Sequence, residues 1–234
     1  MPPKAFLSWS SGKDAAFALV EARRLGLADI AGVLTTVNEK YDRVAMHGVR
    51  RGLLLRQAAA LSLPVLVVPI PSPCSNEVYE ARMAEACVTI RAQGIEHIVF
   101  GDLFLEDVRA YRERKLSSAG MQAIFPLWQR DTGALAREMI ASGIEARLVC
   151  IDPKKLDASF AGRCFDASLL RDLPAGVDPC GENGEFHTVV TAGPMFAAPI
   201  PVEVGEIVER EGFVFADVLP LPAAIHSDLA QANQ

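Results

Sequence analysis

Over the first 150 residues, short runs of β-formers alternate with longer stretches of helical periodicity, and few folds admit that alternation. Runs at residues 5–9, 30–37, 65–68, 98–100 and 147–151 read as strands. Stretches at 13–25, 49–61, 76–93, 105–118 and 131–141 read as helices. Ala16, Leu19 and Val20 share one face of the first helix, and the third has Asn76 as its cap and Gly94 as its stop. Strand–helix alternation builds an open, mostly parallel sheet with helices on both faces. Ligands bind such sheets beyond the carboxyl ends of the strands.

Past residue 152 the pattern changes. Residues 154–179 hold mixed helical fragments, 178–184 form a loop rich in Gly, Asp and Glu, and 186–191, 202–209 and 213–218 read as strands. Glu211-Gly212 makes a hairpin turn between the last two. The expected organisation is a nucleotide-binding domain at 1–130, a smaller C-terminal α+β domain at 131–222 packed on it, and a polar tail at 223–234.

With 23 Lys and Arg against 29 Asp and Glu, the 234-residue chain carries a net charge of −6. That balance opposes a broad nucleic-acid surface, which needs a basic stripe, but leaves room for a local phosphate pocket. Five widely spread cysteines without a CxxC pair fit neither a zinc site nor a disulfide framework, so buried reduced thiols in a cytoplasmic protein are expected. The longest apolar stretch, near residues 61–70, is cut by Pro64 and Pro69 and is too short to span a membrane. A homodimer is the generic expectation for assembly.

The segment Ser8-Trp9-Ser10-Ser11-Gly12-Lys13-Asp14-Ala15 joins the first strand to the first helix. Unpaired N–H groups and the positive end of the dipole meet at such a helix start. Small residues allow an anion to approach, Ser10 and Ser11 add hydroxyls, and Lys13 adds a charge. A tight turn with a solvated lysine is the alternative. The segment is not the common P-loop: Leu7 stands where that motif has its first Gly, and Asp14 where it has the Ser or Thr that holds magnesium. Gly101-Asp102 ends a strand on the ligand edge, and Glu106, Arg109 and Arg112 can share a helical face beyond it. The alternatives there are a helix cap and a surface ion-pair network. The acidic groups of 178–188 suit a cationic or amine-bearing substrate, ammonia, or magnesium. His187 is the candidate base near neutral pH.

Residues 10–15 resemble the SGGKDS loop of the ATP pyrophosphatases, or PP-loop enzymes. The segments Met46-His47-Gly48-Val49-Arg50, Phe100-Gly101-Asp102-Leu103-Phe104-Leu105-Glu106-Asp107-Val108-Arg109, Phe125-Pro126-Leu127-Trp128 and Asp178-Pro179-Cys180-Gly181-Glu182-Asn183-Gly184-Glu185-Phe186-His187-Thr188 narrow the resemblance to the diphthine–ammonia ligase family and its bacterial relatives. In this chain Ser11 replaces the first Gly of the doublet, a position where a side chain resists positive φ, and Ala15 replaces the closing Ser.

The resemblance implies an adenine-nucleotide α-hydrolase-like, Rossmann-like α/β fold. It also implies ATP cleavage between the α and β phosphates, with Mg2+, to activate a carboxylate as an adenylate that ammonia converts to an amide. On that reading Ser10, Ser11, Gly12, Lys13 and Asp14 cradle the phosphates, and Lys13 stabilises the leaving pyrophosphate. The backbone at Thr35 lines the adenine pocket, and His47, Gly48 and Gly101 approach the nucleotide. Asp14 and Asp102 are the magnesium candidates, with Lys13, Asp102, Glu185 and His187 as the catalytic set. Arg109, Glu182, Asn183 and Thr188 are expected on the side of a carboxylate-bearing acceptor, either a small molecule or a modified protein side chain. Two other readings stay open: a nucleotide-binding or sensing module without turnover, and PP-loop sulfur transfer to tRNA.

Overall fold

The structure is a computed structural model that describes residues 1–222; the tail expected at 223–234 lies outside the described residues. The first unit runs β1 (Lys4–Ser8), α1 (Lys13–Arg24), β2 (Asp29–Asn38), β3 (Arg43–Val44), α2 (Arg51–Leu61), β4 (Val65–Ile70), α3 (Asn76–Arg91), β5 (His97–Val99), α4 (Glu106–Ser118) and β6 (Gln122–Ile124). Then come α5 (Thr132–Ala141), β7 (Glu145–Ile151), a 3-10 turn (Ala158–Phe160), α6 (Ala167–Asp172), β8 (Phe186–Ala192), β9 (Val202–Arg210) and β10 (Phe213–Pro220).

β4, β2, β1, β5 and β6 pair in that order, all parallel. Val33 and Leu34 pair with both β1 and β4, so those strands flank β2 on opposite edges; β3 then takes the β1 edge at Val37 and Asn38, beyond where β1 ends. The chain leaves β1 toward β2 but returns on the other side at β5. Their adjacent carboxyl ends therefore form the switch point where such sheets bind ligands. The second sheet, ordered β8-β7-β10-β9, is antiparallel. The architecture is the expected mixed α/β fold with a mostly parallel sheet and a separate antiparallel one.

One apolar cluster runs from Leu7, Trp9 and Val33 through Phe17 and Leu19 of α1 to Leu148, Phe186, Val189 and Val214 of the second sheet. A second, with Phe6, Ile90, Ile98 and Leu116, lies under α3 and α4. Burying these faces on the sheet is what stabilises the helices. Glu21, 2% exposed in α1, is a buried charge that Arg24 and Arg130 answer at 2.7 and 3.2 Å.

Several expectations need correction. Ser75 caps α3, accepting from the Val78 amide, so Asn76 is its first helical residue. β3 and β6, of two and three residues, escaped the sequence reading. Cys87, Cys150 and Cys180 are buried thiols as expected, but Cys74 is half-buried and Cys164 exposed, and all five are free. Among the described residues, no helix is long and apolar enough to cross a membrane.

Candidate functional site

The loop between β1 and α1 is braced from two elements, β8 and α2. The Ser11 carbonyl accepts from the Val190 amide of β8 at 2.9 Å and from Gln57 Nε2 of α2 at 3.2 Å. Gln57 also donates to the Val190 carbonyl at 2.7 Å and accepts from the Trp9 indole at 3.0 Å. Sequence reasoning missed Gln57; its signal was a lone amide on the inward face of an apolar helix. This bracing holds Ser11 at φ 70, the left-handed conformation its side chain resists, at a cost of roughly 1–2 kcal/mol. The Ser11 hydroxyl is fully buried and has no partner.

Gly12 caps α1 in an extended conformation without a side-chain bond. A Cβ there would lie 2.9 Å from His47 Cε1 and 3.2 Å from the Thr188 carbonyl oxygen. Ala16 is the first residue of α1 to bond back, to the Gly12 carbonyl at 3.1 Å. The amides of Asp14 and Ala15 precede that bond, where a helix has no internal carbonyl to offer. Gly101, at the end of β5, sits against them: a Cβ on it would lie 2.7 Å from the Asp14 carbonyl carbon and 2.8 Å from the Ala15 nitrogen. A buried free hydroxyl and free first-turn amides suit a phosphate group, and the missing side chain at Gly101 lets the end of β5 pack directly on the Asp14–Ala15 peptide.

Lys13 departs from its expected role. Its side chain is 1% exposed, and Nζ donates to Asp14 Oδ1 and Oδ2 at 3.0 and 2.9 Å and to the Cys180 carbonyl. Nζ also lies 5.3 Å from the ring centres of both Phe165 and Phe186. Burial pulls the Lys13 pKa down, but the charges of Asp14 and its neighbours more than restore it, and the amine stays protonated. Its donors are spent on Asp14 and on the Cys180 carbonyl of the 178–185 loop.

Thr188 departs too. Expected on the acceptor side, it lines the nucleotide loop: its Oγ1 accepts the Lys13 amide at 3.1 Å, and its carbonyl lies 3.1 Å from His47 Nδ1. A carbonyl only accepts, so Nδ1 carries the proton and Nε2 remains an acceptor. His47 and His187 face each other with ring centres 4.6 Å apart. Burial, opposed by the Thr188 bond and reinforced by Lys13, lowers His47 to about 4. Burial, then His47 and Lys13, lowers His187 to about 3. Both rings are neutral at pH 7, and His187 is a far weaker base than its free imidazole.

Gly48, at φ +69, is filled by the protein itself: a Cβ there would lie 2.7 Å from the Phe215 ring, which corrects its expected approach to nucleotide. Thr35 is buried with its hydroxyl unpartnered. Asp102 is held by Arg112, whose Nε lies 2.7 Å from Oδ2 and whose Nη2 donates to Oδ1 at 3.0 Å. That contact competes with the expected magnesium role. Arg109 does not pair with Glu106. Its Nε donates to Glu113 at 2.8 Å, and its guanidinium carbon sits 4.6 and 4.9 Å from the Trp128 and Phe125 ring centres.

The 178–185 loop is tied by its own carboxylates. Asp178 Oδ2 accepts the amides of Cys180 at 3.2 Å and Glu182 at 2.9 Å. Glu185 Oε1 accepts the Asp178 amide at 3.0 Å and the Asn183 side chain at 3.2 Å, while Oε2 is buried without a partner. Glu185 and Asn183 thus shape the loop, and their first effect is structural. Glu182 Oε1 accepts the Leu103 amide at 2.8 Å. Burial, with the charges of Asp14 and Asp102 nearby, pushes Glu182 up to about 7 although the Leu103 bond opposes it. Glu182 therefore titrates in the range expected of His187.

Among the described residues, no three His, Cys, Asp or Glu side chains converge to hold a metal. Of the two expected magnesium ligands, Asp14 has the more accessible side chain, 27% against 14% for Asp102. Two cavities flank the site without opening on residues 10–14. One of about 460 Å3, lined in part by Tyr41, Arg50, Phe215 and Asp217, lies between the β2–β3 hairpin and the second sheet. The other, about 840 Å3, runs between α3 and α4.

Residues 131–218 match the family model described as Diphthamide synthase C-terminal domain. A diphthine–ammonia ligase of Rattus norvegicus is 33% identical over 129 residues, 53% of this chain and 48% of that protein. One of Bos taurus is 25% identical over 230 residues, 89% of this chain and 86% of that protein. One of Schizosaccharomyces pombe is 24% identical over 221 residues, 86% and 36% respectively. The chain is thus related at modest identity, over most of its length, to proteins of that name, and the match spans about half the length of the rat relative.

Proposed function

We propose, from this kinship with the diphthine–ammonia ligases, that the chain is an ATP-dependent ligase joining ammonia to a carboxylate. The carboxylate oxygen attacks the α-phosphorus of ATP and pyrophosphate leaves. Ammonia then attacks the activated acyl carbon, AMP departs and an amide remains. The observation that carries the reading is the phosphate seat made by the buried free Ser11 hydroxyl and the Asp14 and Ala15 amides, which precede the first helical bond of α1. Magnesium would be held by Asp14, whose two oxygens it would have to share with Lys13 Nζ, and would supply charge to neutralise the leaving pyrophosphate; this ion needs only one or two carboxylates.

On the acceptor side, Arg109 keeps both Nη groups for a carboxylate, while the aromatic pair and Glu113 fix its plane. Glu182, titrating near neutrality, takes the proton that ammonium must lose to become a nucleophile. The name of the relatives supports diphthine as one acceptor. The chemistry here requires only a carboxylate that reaches the seat.

Phosphorus NMR tests the reading, using the protein with ATP, magnesium, ammonium and a pooled metabolite extract. AMP and pyrophosphate are expected, and Gly101→Val, whose side chain would push the Asp14–Ala15 peptide and its free amides out of place, should abolish them. ADP and phosphate from the wild type would overturn the ligase reading. Tight ATP binding without turnover, even with a diphthine-bearing protein added, would favour a nucleotide-binding module.

A further inference from the structure

We infer that Lys13 is a positioning residue, fastening the 178–185 loop to the start of α1 so that the acceptor side is assembled against the nucleotide loop. The inference deepens the ligase reading and rests on it for the meaning of the two sides.

The contacts on Lys13 define this role. An ammonium has three donors. Asp14 takes two contacts at 2.9 and 3.0 Å, and the Cys180 carbonyl takes another. The rings of Phe165 and Phe186 close the remaining approach, each 5.3 Å from Nζ. Burying an ammonium costs several kcal/mol unless a counter-charge and hydrogen bonds answer it. Here Asp14 supplies the charge, and Cys180 directs the bond across to another element. Besides its neighbour Asp14, the amine is held by Cys180, 167 positions away in the chain, and enclosed by Phe165 and by Phe186 of the second sheet.

The loop it holds is ordered internally by Asp178 and Glu185, but those bonds stay within residues 178–185. Its polar attachments to the parallel-sheet unit are the Lys13 bond to Cys180 and the Glu182 bond to the Leu103 amide at 2.8 Å. A weaker thiol contact, Cys180 Sγ to the Thr132 carbonyl at 3.4 Å, joins the loop to α5. One attachment therefore ends in the nucleotide loop after β1, the other in the segment after β5. These are the two connections that flank the switch point. Releasing Lys13 leaves the loop internally shaped and tied to residues 152–155 through the Lys155 bond to the Asn183 carbonyl and the Asp152 amide bond to the Glu185 carbonyl, with Glu182 as its remaining charged attachment to the parallel-sheet unit.

The test compares wild type with Lys13→Met and Lys13→Arg. Two quantities are measured: hydrogen exchange of the amides of residues 180–184, and MgATP affinity by calorimetry. Lys13→Met should speed exchange in the loop at least tenfold while leaving α5 and β7 unchanged, and should alter the ATP Kd less than about threefold. Lys13→Arg, which keeps a cationic donor, should restore most of the protection. Unchanged loop exchange in Lys13→Met overturns the inference. So does a loss of ATP affinity beyond tenfold, which would return Lys13 to the phosphates. If burying Asp14 without its partner prevents folding, Lys13→Met/Asp14→Asn removes the orphan charge, and ATP is then measured without magnesium. Wild type that binds no ATP would sink the ligase reading, and the exchange data alone would then decide the fastening role.

Discussion

Asp217 of β10 offers the most direct check on how the two sheets are held around the site. Its carboxylate accepts from Arg43 Nη1 at 2.9 Å and from Arg50 Nη2 at 2.5 Å, and its side chain is only 16% exposed. Those arginines flank the turn that carries His47 against Gly12. Burial raises the Asp217 pKa, but the bonds from Arg50 and Arg43 outweigh it and hold the group at about 2, against 3.8 in an unfolded chain. A depressed carboxylate stabilises the fold fully above its unfolded pKa, and that stability is lost as pH falls through the folded one. The difference of about 1.8 units corresponds to about 2.4 kcal/mol. In Asp217→Asn the arginines, 22% and 47% exposed, stay hydrated, so little further penalty is added. Urea unfolding at pH 7 should therefore find the variant about 2 kcal/mol less stable. At pH 3, midway through the titration, the gap should shrink to about 1 kcal/mol. A gap independent of pH, or one below about 0.5 kcal/mol at pH 7, would refute the reasoning.

The other expectations concern the loops. Ser11→Gly relieves the left-handed strain and removes a buried free hydroxyl, so denaturant unfolding should show about 1 kcal/mol of added stability after glycine's extra unfolded-state entropy is subtracted. The same variant should bind ATP about tenfold more weakly by calorimetry, because the hydroxyl is expected to donate to phosphate. Gly101→Ala should lower ATP affinity at least tenfold with circular dichroism unchanged, since the new methyl would lie under 3 Å from the Asp14–Ala15 peptide. Glu185→Ala frees the Asp178 amide and the Asn183 side chain; thermal unfolding should show a loss of about 1–2 kcal/mol and acceptor-dependent pyrophosphate release should fall. Glu182 must be ionised to accept a proton, so ammonium-dependent turnover should rise through pH 7, and Glu182→Gln should remove that limb of the profile.

Much of this architecture was legible in the residues because periodicity reports which face of an element is buried. The apolar faces of α1 and α2, the β-rich runs and the Glu211-Gly212 turn follow from local patterns. The small-residue segment after β1 marked the phosphate seat for the same reason: a helix start with free amides is a local property. Tertiary packing decided which polar atoms of that segment remain free. Lys13 reads as a phosphate arm only until Phe165, Phe186 and Cys180, more than 150 positions away, enclose its amine. Thr188 moves to the nucleotide loop because β8 supplies the Lys13 amide with its acceptor. Gly48 makes room for Phe215, not for a ligand. His187 loses its basicity, and Glu182 gains a pKa near 7, through burial and neighbouring charge. Chain composition dictated what these groups can donate or accept; contacts made across long sequence separations determined where those donors and acceptors were spent, because desolvation and charge act through space and not along the chain.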